Sequence, residues 1–507
     1  MLRLMNFRIP TDDEIHLAFE KGEAAVRSLF HDLASQMEEL AKQVAKQAEA
    51  LQALQARQAK DSRNSSKPPA SDGYKKAQRT QSLRKSGNKP SGGQPGHDGH
   101  TLQAVEHPNH TETHEADTCA HCQASLSAIE PTGYEERQVF DIPALRIEVT
   151  AHWAAIKRCP QCGAQTKGDF PPGVTQAVQY GPAVKTWAAY FTNEHHIPVE
   201  RTAEILEDLV HHRMSDATVL KASQELAECI AESTQAVKAL LRDGEVLHVD
   251  ESGLRVQGTL HWLHVASTDR LTDYEVHAKR GKAAMDDGGI LGGFTGTAVP
   301  DHWKPYFTYG ECRHALCNAH HLRELQYIET QYGQPWAKEM SVLLGEIKKA
   351  VEATPPQATS LPSEQRADFE RRYAAIVQEG FDANPPAPST LSEGKGNKRG
   401  RPKHAPPFNL LLRLRDFLPQ VLAFMYDFAV PFDNNQAERD VRMVKVKQKV
   451  SGGFRTLDGA KRFSRIRGYI STARKNSQNV FEAIRDAFGG NPFIPSPDRQ
   501  PKPLSSQ

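Results

Sequence analysis

Two Cys-x-x-Cys pairs, Cys119 with Cys122 and Cys159 with Cys162, constrain this chain more than any other feature of its sequence. Two residues between cysteines let both sulfurs curl around one ion, so two pairs supply four thiolates to a tetrahedral zinc site of structural type. A redox Cys-x-x-Cys pair is the rival reading. Two copies separated by the strand-like stretches YEERQVFDIP and RIEVTAHWAAIKR, which would bring them together as a hairpin, favour zinc. Such a metal is not catalytic, because four Cys ligands leave no open position. Seven cysteines is an odd number, which fits metal binding in a reducing compartment better than a secreted disulfide framework.

At 507 residues the chain exceeds one core, and three or four folded units joined by linkers are expected. The formal net charge of +1 gives no hint of a nucleic-acid partner, so any such reading rests on local clustering. MLRLMNFRIP lacks the apolar core of a signal peptide, and no run of about 18 apolar residues occurs. The expectation is a soluble, cytoplasmic protein.

From Val26 onward, Phe30, Leu33, Met37, Leu40, Val44, Leu51 and Leu54 step by threes and fours, with Gln47 and Gln58 in register. This heptad pattern predicts a coiled-coil helix over 1–62 and dimerisation; the alternative is one amphipathic helix packed on its own domain. Residues 61–101 carry eight basic and three acidic side chains and almost no apolar content. They read as a basic flexible linker, bounded at 63–104, whose Lys67, Lys75 and Lys76 can lie along phosphates. The zinc-binding domain follows at 105–175. Residues 176–240 read helical, and TAEILEDLVHHRMSDATVLKASQEL fits either a helix-turn-helix or an ordinary helical hairpin, with Ser215 or Asp216 as N-cap.

At Gly244 the chain changes character. GEVLHVDESGLRV, TLHWLHVASTDRL and YEVHAKR read as three successive strands, and the first is apolar up to Asp250, as a central buried strand would be. A carboxylate ending such a strand is costly unless paired or bound to metal. Glu251 faces the other way by the period of two, so Asp250 is the candidate ligand. After a helical stretch, GTAVPDHWKPY forms a fourth strand ending in Asp301. PFDNNQAERDVRMVKVKQ then supplies a helix with Asp433 as N-cap, Gln436 as capping-box partner and Glu438 in the second turn. Asn434 lies one turn before Glu438, and Arg442 and Lys445 follow on roughly the same face. Three strategically spaced acids suit two Mg²⁺ or Mn²⁺ ions about 4 Å apart, the arrangement that phosphodiester chemistry uses. With 62 acidic residues in the chain, spacing alone is weak support; strand order, the capped helix and the basic flanks add to it.

NSSKPPASD, GGQPGHDGHTL, the paired Cys-x-x-Cys turns, HVDES, AVPDHWKPY, CNAHHLREL and DNNQAERDVRMVK, in that order, resemble the insertion sequence 66 family of bacterial transposases over nearly the whole chain. The resemblance implies a DDE-type, ribonuclease-H-like catalytic domain, with its acidic triad on Asp250, Asp301 and Glu438. It also implies an N-terminal zipper-like helix, a zinc-binding domain, and small accessory proteins encoded by the same element. The expected class is multidomain α+β: coiled-coil helix, zinc-binding domain, helical DNA-binding region, and an α/β catalytic domain with a helical insertion. The boundaries are 241–325 for the first part of the catalytic core, 326–425 for the insertion, 426–490 for the C-terminal part with basic helices, and 491–507 for a disordered tail. The expected partners are DNA, both element ends and target, and a second copy of the chain, in a bacterial, nucleoid-associated setting. A catalytically silent DNA-binding protein derived from a transposase is the alternative.

Cys317 and His320 resemble a Cys-x-x-His found between the second and third acids in that family. Physically they could be half of a metal site or packed side chains, and packing is the expectation, because Cys312 and His314 offer no matching knuckle. After Glu438, Arg439, Arg442, Lys445, Lys447, Lys449, Arg455, Lys461, Arg462, Arg465, Arg467, Arg474 and Lys475 are opposed only by Asp440 and Asp458. This reads as a phosphate-binding surface, with Arg439, Arg442, Lys445, Lys447 and Arg455 as the candidate DNA-binding residues.

Overall fold

A computed structural model describes residues 9–59, 102–355, 357–385 and 404–497. Lys67, Lys75 and Lys76 lie outside the described residues, as do most of the linker and the end of the tail. The chain divides into two compact units, one of 1–75, 177–203 and 215–507, the other of 76–176 and 204–214.

In the larger unit, α1 (Asp12–Glu20) starts from a reciprocal capping box in which Thr11 and Glu14 each take the other's backbone N–H. Gly22, at φ 97°, turns the chain into α2 (Glu23–Gln58). The heptad segment is thus one uninterrupted helix. Phe30, Met37, Val44, Leu51 and Leu54 on it are each more than half exposed.

The smaller unit holds both Cys-x-x-Cys turns, and its strands are shorter than expected. Among its described residues only β1 (Ile156–Arg158) and β2 (Gln165–Lys167) form, pairing antiparallel across the second turn. A lone bridge from Thr118 to Ser125 spans the first. YEERQVFDIP and most of RIEVTAHWAAIKR are not strands. Val139, Val149 and Trp153 there are about nine-tenths exposed, so the alternating pattern has no apolar layer to face and no ladder to join. Each cysteine turn is closed by its own local pairing instead.

The larger unit resumes with α3 (Pro182–Ala189) and a π-helical turn, Tyr190–Glu194. α4 (Val199–Val210), which contributes to both units, α5 (Asp216–Cys229) and α6 (Ala231–Arg242) follow. Ser215 caps α5, accepting the Thr218 N–H. Next come β3 (Val246–Val256), β4 (Thr259–Ser267) and β5 (Thr272–His277) as a meander. The β3–β4 turn places Gln257 and Gly258 at φ 50° and 74°, the left-handed pair that a two-residue hairpin turn requires. α7 (Lys282–Gly288) leads to β6 (Thr297–Val299) and β7 (Arg313–His314). The five-stranded sheet runs β5-β4-β3-β6-β7, with β6 and β7 parallel to β3. Gly296 lets β6 approach β3, since a Cβ there would stand 2.5 Å from the Glu245 carbonyl oxygen.

A helical subdomain is inserted next: α8 (Asn318–Tyr332), α9 (Pro335–Ala353), α10 (Ser363–Ala383), α11 (Pro406–Asp416), and the single turns α12 (Leu418–Val421) and α13 (Ala423–Tyr426). Its own core includes Leu325, Trp336, Met340, Tyr373 and Leu411. α14 (Asn435–Ser451), α15 (Leu457–Lys475) and α16 (Val480–Phe488) then return to the sheet side. β3 separates two cores by the strand period: Leu247 and Val249 pack with Met285 and Tyr306, while Leu254 and Val256 pack with Val441, Val444 and Phe463. No helix among the described residues is long and apolar enough to cross a membrane. The fold is mixed α+β.

Candidate active site

Asp250 does not end its strand, as the sequence reading had it; β3 continues to Val256 against β4. What ends beside Asp250 is the parallel pairing. The last β3–β6 pair is His248 with Val299, so Asp250 and Asp301 each stand two residues beyond it on neighbouring chains. There the parallel pairing stops, and in open α/β sheets ligands commonly sit beyond the carboxyl ends of such strands. Asp250 Oδ1 accepts the Glu251 N–H and Asp301 Oδ1 the Trp303 N–H, both at 2.8 Å. Burial, then the fields of Glu251, Asp301 and Glu438, hold the Asp250 carboxyl well above its usual range. Burial also raises Asp301. Asp301 and Glu438 are among the charges that raise Asp250, so a cation beside it would relieve that field, and carboxylate oxygens suit Mg²⁺ or Mn²⁺; oxygens of the three acids do not all stand within 4.8 Å of one another.

Glu251 points to the opposite face, as the strand period requires, and is already satisfied. It accepts from Tyr306 Oη at 2.6 Å and pairs with Arg280, whose guanidinium lies 4.2 Å from the Trp303 ring centre and 4.8 Å from that of Trp262. Burial and Asp301 push its carboxyl up to about 7. This Arg–Glu–Tyr set around a buried carboxylate is not visible in sequence; Arg280 stands 29 positions from Glu251 in the chain.

Glu438 comes from α14, whose start differs from the expected one. Asn434 is the N-cap position, Asp433 accepts the Asn435 N–H, and Gln436 bonds Asp440 rather than closing a capping box. The helix is held instead by tertiary bonds. The Asn434 side chain, 1% exposed, donates to the Val249 carbonyl and accepts from His248 Nδ1, both at 2.8 Å. Its backbone N–H reaches Cys317 Sγ at 3.2 Å. One turn on, Glu438 Oε1 meets Arg323 at 3.0 Å and stands 3.6 Å from His320 Nδ1. Asn434 thereby ties the helix of the third acid to the strand of the first. Asn434→Ala is expected to weaken Mn²⁺ binding beside Glu438 about 10- to 100-fold, since supporting bonds at metal sites carry effects of that size; an unchanged Mn²⁺ affinity would contradict it.

The two cysteine turns repeat one backbone geometry. Cys119 N–H bonds Ala124 O and Gln123 N–H bonds Cys119 O; Cys159 bonds Ala164 and Gly163 in the same way. Gln123 and Gly163 are both left-handed, at φ 59° and 74°. The Cys119 thiol is lowered by the amides of Cys122 and His121, and Cys159 by those of Cys162 and Gln161, so each turn favours a thiolate. The donor chemistry fits zinc. No three of the four sulfurs lie within 4.8 Å of one another; the two turns are formed, but not drawn into one cluster.

The basic C-terminal helices divide. Arg439, Arg442, Lys449, Arg455, Lys461 and Arg465 are exposed. Lys445 and Lys447 are half-buried and donate to the Gly253 and Gly452 carbonyls. Arg467, Arg474 and Lys475 depart from the expected phosphate surface: Arg467 is buried against Glu194, Arg474 pairs with the same carboxylate, and Lys475 bonds Asp440 at 2.9 Å and Thr268 O at 2.7 Å. Cys317 and His320, expected to be packing residues, meet Glu438 closely enough to share a ligand.

Among known families, residues 177–462, more than half of the 507, match the one described as Transposase IS66 family. Residues 116–163 match the zinc-finger binding domain of transposase IS66, and residues 10–103 a family of unknown function. No curated protein matches the chain.

Proposed function

Because the chain belongs to the IS66 family of transposases, we propose that it cleaves the ends of its DNA element and joins their 3′ hydroxyls to target DNA at Asp250, Asp301 and Glu438. The observation that supports this most is the equivalent placement of Asp250 and Asp301 past the last β3–β6 pair, with Glu438 among the charges that raise Asp250. Sheet order supports a ribonuclease-H-like reading: β3 is central, with an antiparallel meander on one side and parallel strands on the other.

Mg²⁺ or Mn²⁺ held by the three acids would supply activation of the attacking oxygen and stabilisation of the leaving one. Arg323 neutralises Glu438 until then, and Asn434 fixes its helix. Arg439, Arg442 and Arg455, with Lys445 and Lys447 beside them, bind the DNA backbone, and hydrolysis and joining are both in-line displacements at phosphorus. The exposed α2 stripe pairs two copies as a coiled coil, and accessory proteins of the element assist.

The test is to incubate full-length protein with labelled element ends and Mn²⁺, with and without such accessory proteins. Cleaved 3′ ends and joined products are expected; bound but uncut DNA in every arm would leave a silent DNA-binding protein. Structural zinc makes a separate expectation. Cys119→Ser or Cys159→Ser should release zinc and impair end recognition, and unchanged zinc content would overturn that assignment.

A further inference from the structure

Cys317 is the N-cap of α8, His320 stands in its first turn, and Glu438 crosses over from α14. One ligand atom from each lies within 4.8 Å of the others, and among the described residues no other His, Cys, Asp and Glu side chains form such a group. Two observations there point to a ligand. His320 Nδ1 is buried and has no hydrogen-bond partner; its 3.6 Å approach to Glu438 is too long for one. Cys317 Sγ, from a residue 1% exposed, already accepts the Asn434 N–H, a bond that orients the sulfur.

We propose that Cys317, His320 and Glu438 form a transition-metal site of the zinc class, separate from the four-cysteine module. A thiolate and an imidazole select zinc or a similar late divalent ion over Mg²⁺, and three protein ligands leave a position open. Binding releases the thiol proton to solvent and replaces Arg323 as the charge partner of Glu438. The site shares Glu438 with the proposed catalytic set, but metal content in the absence of DNA tests it without reference to activity.

The experiment is metal analysis of the full-length protein, purified without chelator, together with cobalt substitution read by the sulfur-to-cobalt charge-transfer band. Wild type is expected to hold about two equivalents per chain. Cys317→Ser and His320→Gln should each lose one, and Cys119→Ser should lose the other. A Cys119→Ser chain should keep one thiolate-bound cobalt that vanishes when Cys317→Ser is added, whereas the same metal content in wild type, Cys317→Ser and His320→Gln would overturn the site. Circular dichroism identifies a variant that fails to fold, in which case the other variant of the pair decides.

Discussion

Asp250→Ala, Asp301→Ala and Glu438→Gln are each expected to lower Mg²⁺-dependent end cleavage and strand transfer by at least about 10³-fold, while end binding by gel shift is retained. On the proposed reading the sequence-independent grip on phosphate comes from basic side chains and not from the acids, so binding and chemistry should separate. Stability supplies a second, opposite readout. The folded-state Asp250 carboxyl is raised, so its contribution is fully present below the unfolded carboxylate range and is lost as pH rises through the folded value. Metal-free Asp250→Asn should therefore be at least as stable as wild type at pH 7 to 8 in urea, and the advantage should shrink in acid. Near-normal strand transfer by Glu438→Gln would remove the third acid from the assignment.

Arg467→Met is expected to cost about 3–5 kcal/mol in urea unfolding at pH 7, the penalty typical of breaking a buried ion pair from one side. Arg467 and Glu194 have side chains 2% and 7% exposed, and the variant would leave the carboxylate only Arg474, which is 56% exposed. Although burial alone would raise it, Glu194 is lowered on balance by the two arginines. A lowered carboxyl stabilises above its unfolded value and loses that contribution as pH falls through the folded one, so the gap between wild type and variant should narrow below about pH 4. A gap under about 1 kcal/mol at pH 7 would contradict a supporting role for the pair.

Glu194 also shows where sequence reading runs out. A run of basic residues after Glu438 looks like one surface, but Arg467 and Arg474 serve a carboxylate 273 and 280 positions away, which no local pattern reveals. The β3–β5 meander and the inserted helices were legible because strand and helix periods are local. Asp301 follows the end of a short strand, as its local pattern suggests; Asp250 does not end its strand, since β3 runs on and only its parallel neighbour stops. YEERQVFDIP carried a strand's composition without a layer to bury it against. Thr11 and Glu14 form a capping box whose Thr-x-x-Glu spacing is local and therefore visible in sequence. Cys317 has no second knuckle near it in sequence; its neighbour in space is Glu438, beyond the whole helical insertion.

Counting Mn²⁺ bound to the full-length chain in complex with an element end, by electron paramagnetic resonance, tests the central assignment most directly. Wild type should hold two coupled ions at the acid cluster, and Asp250→Asn should lose that coupled signal with DNA still bound. An unaltered coupled pair in Asp250→Asn would place the chemistry elsewhere.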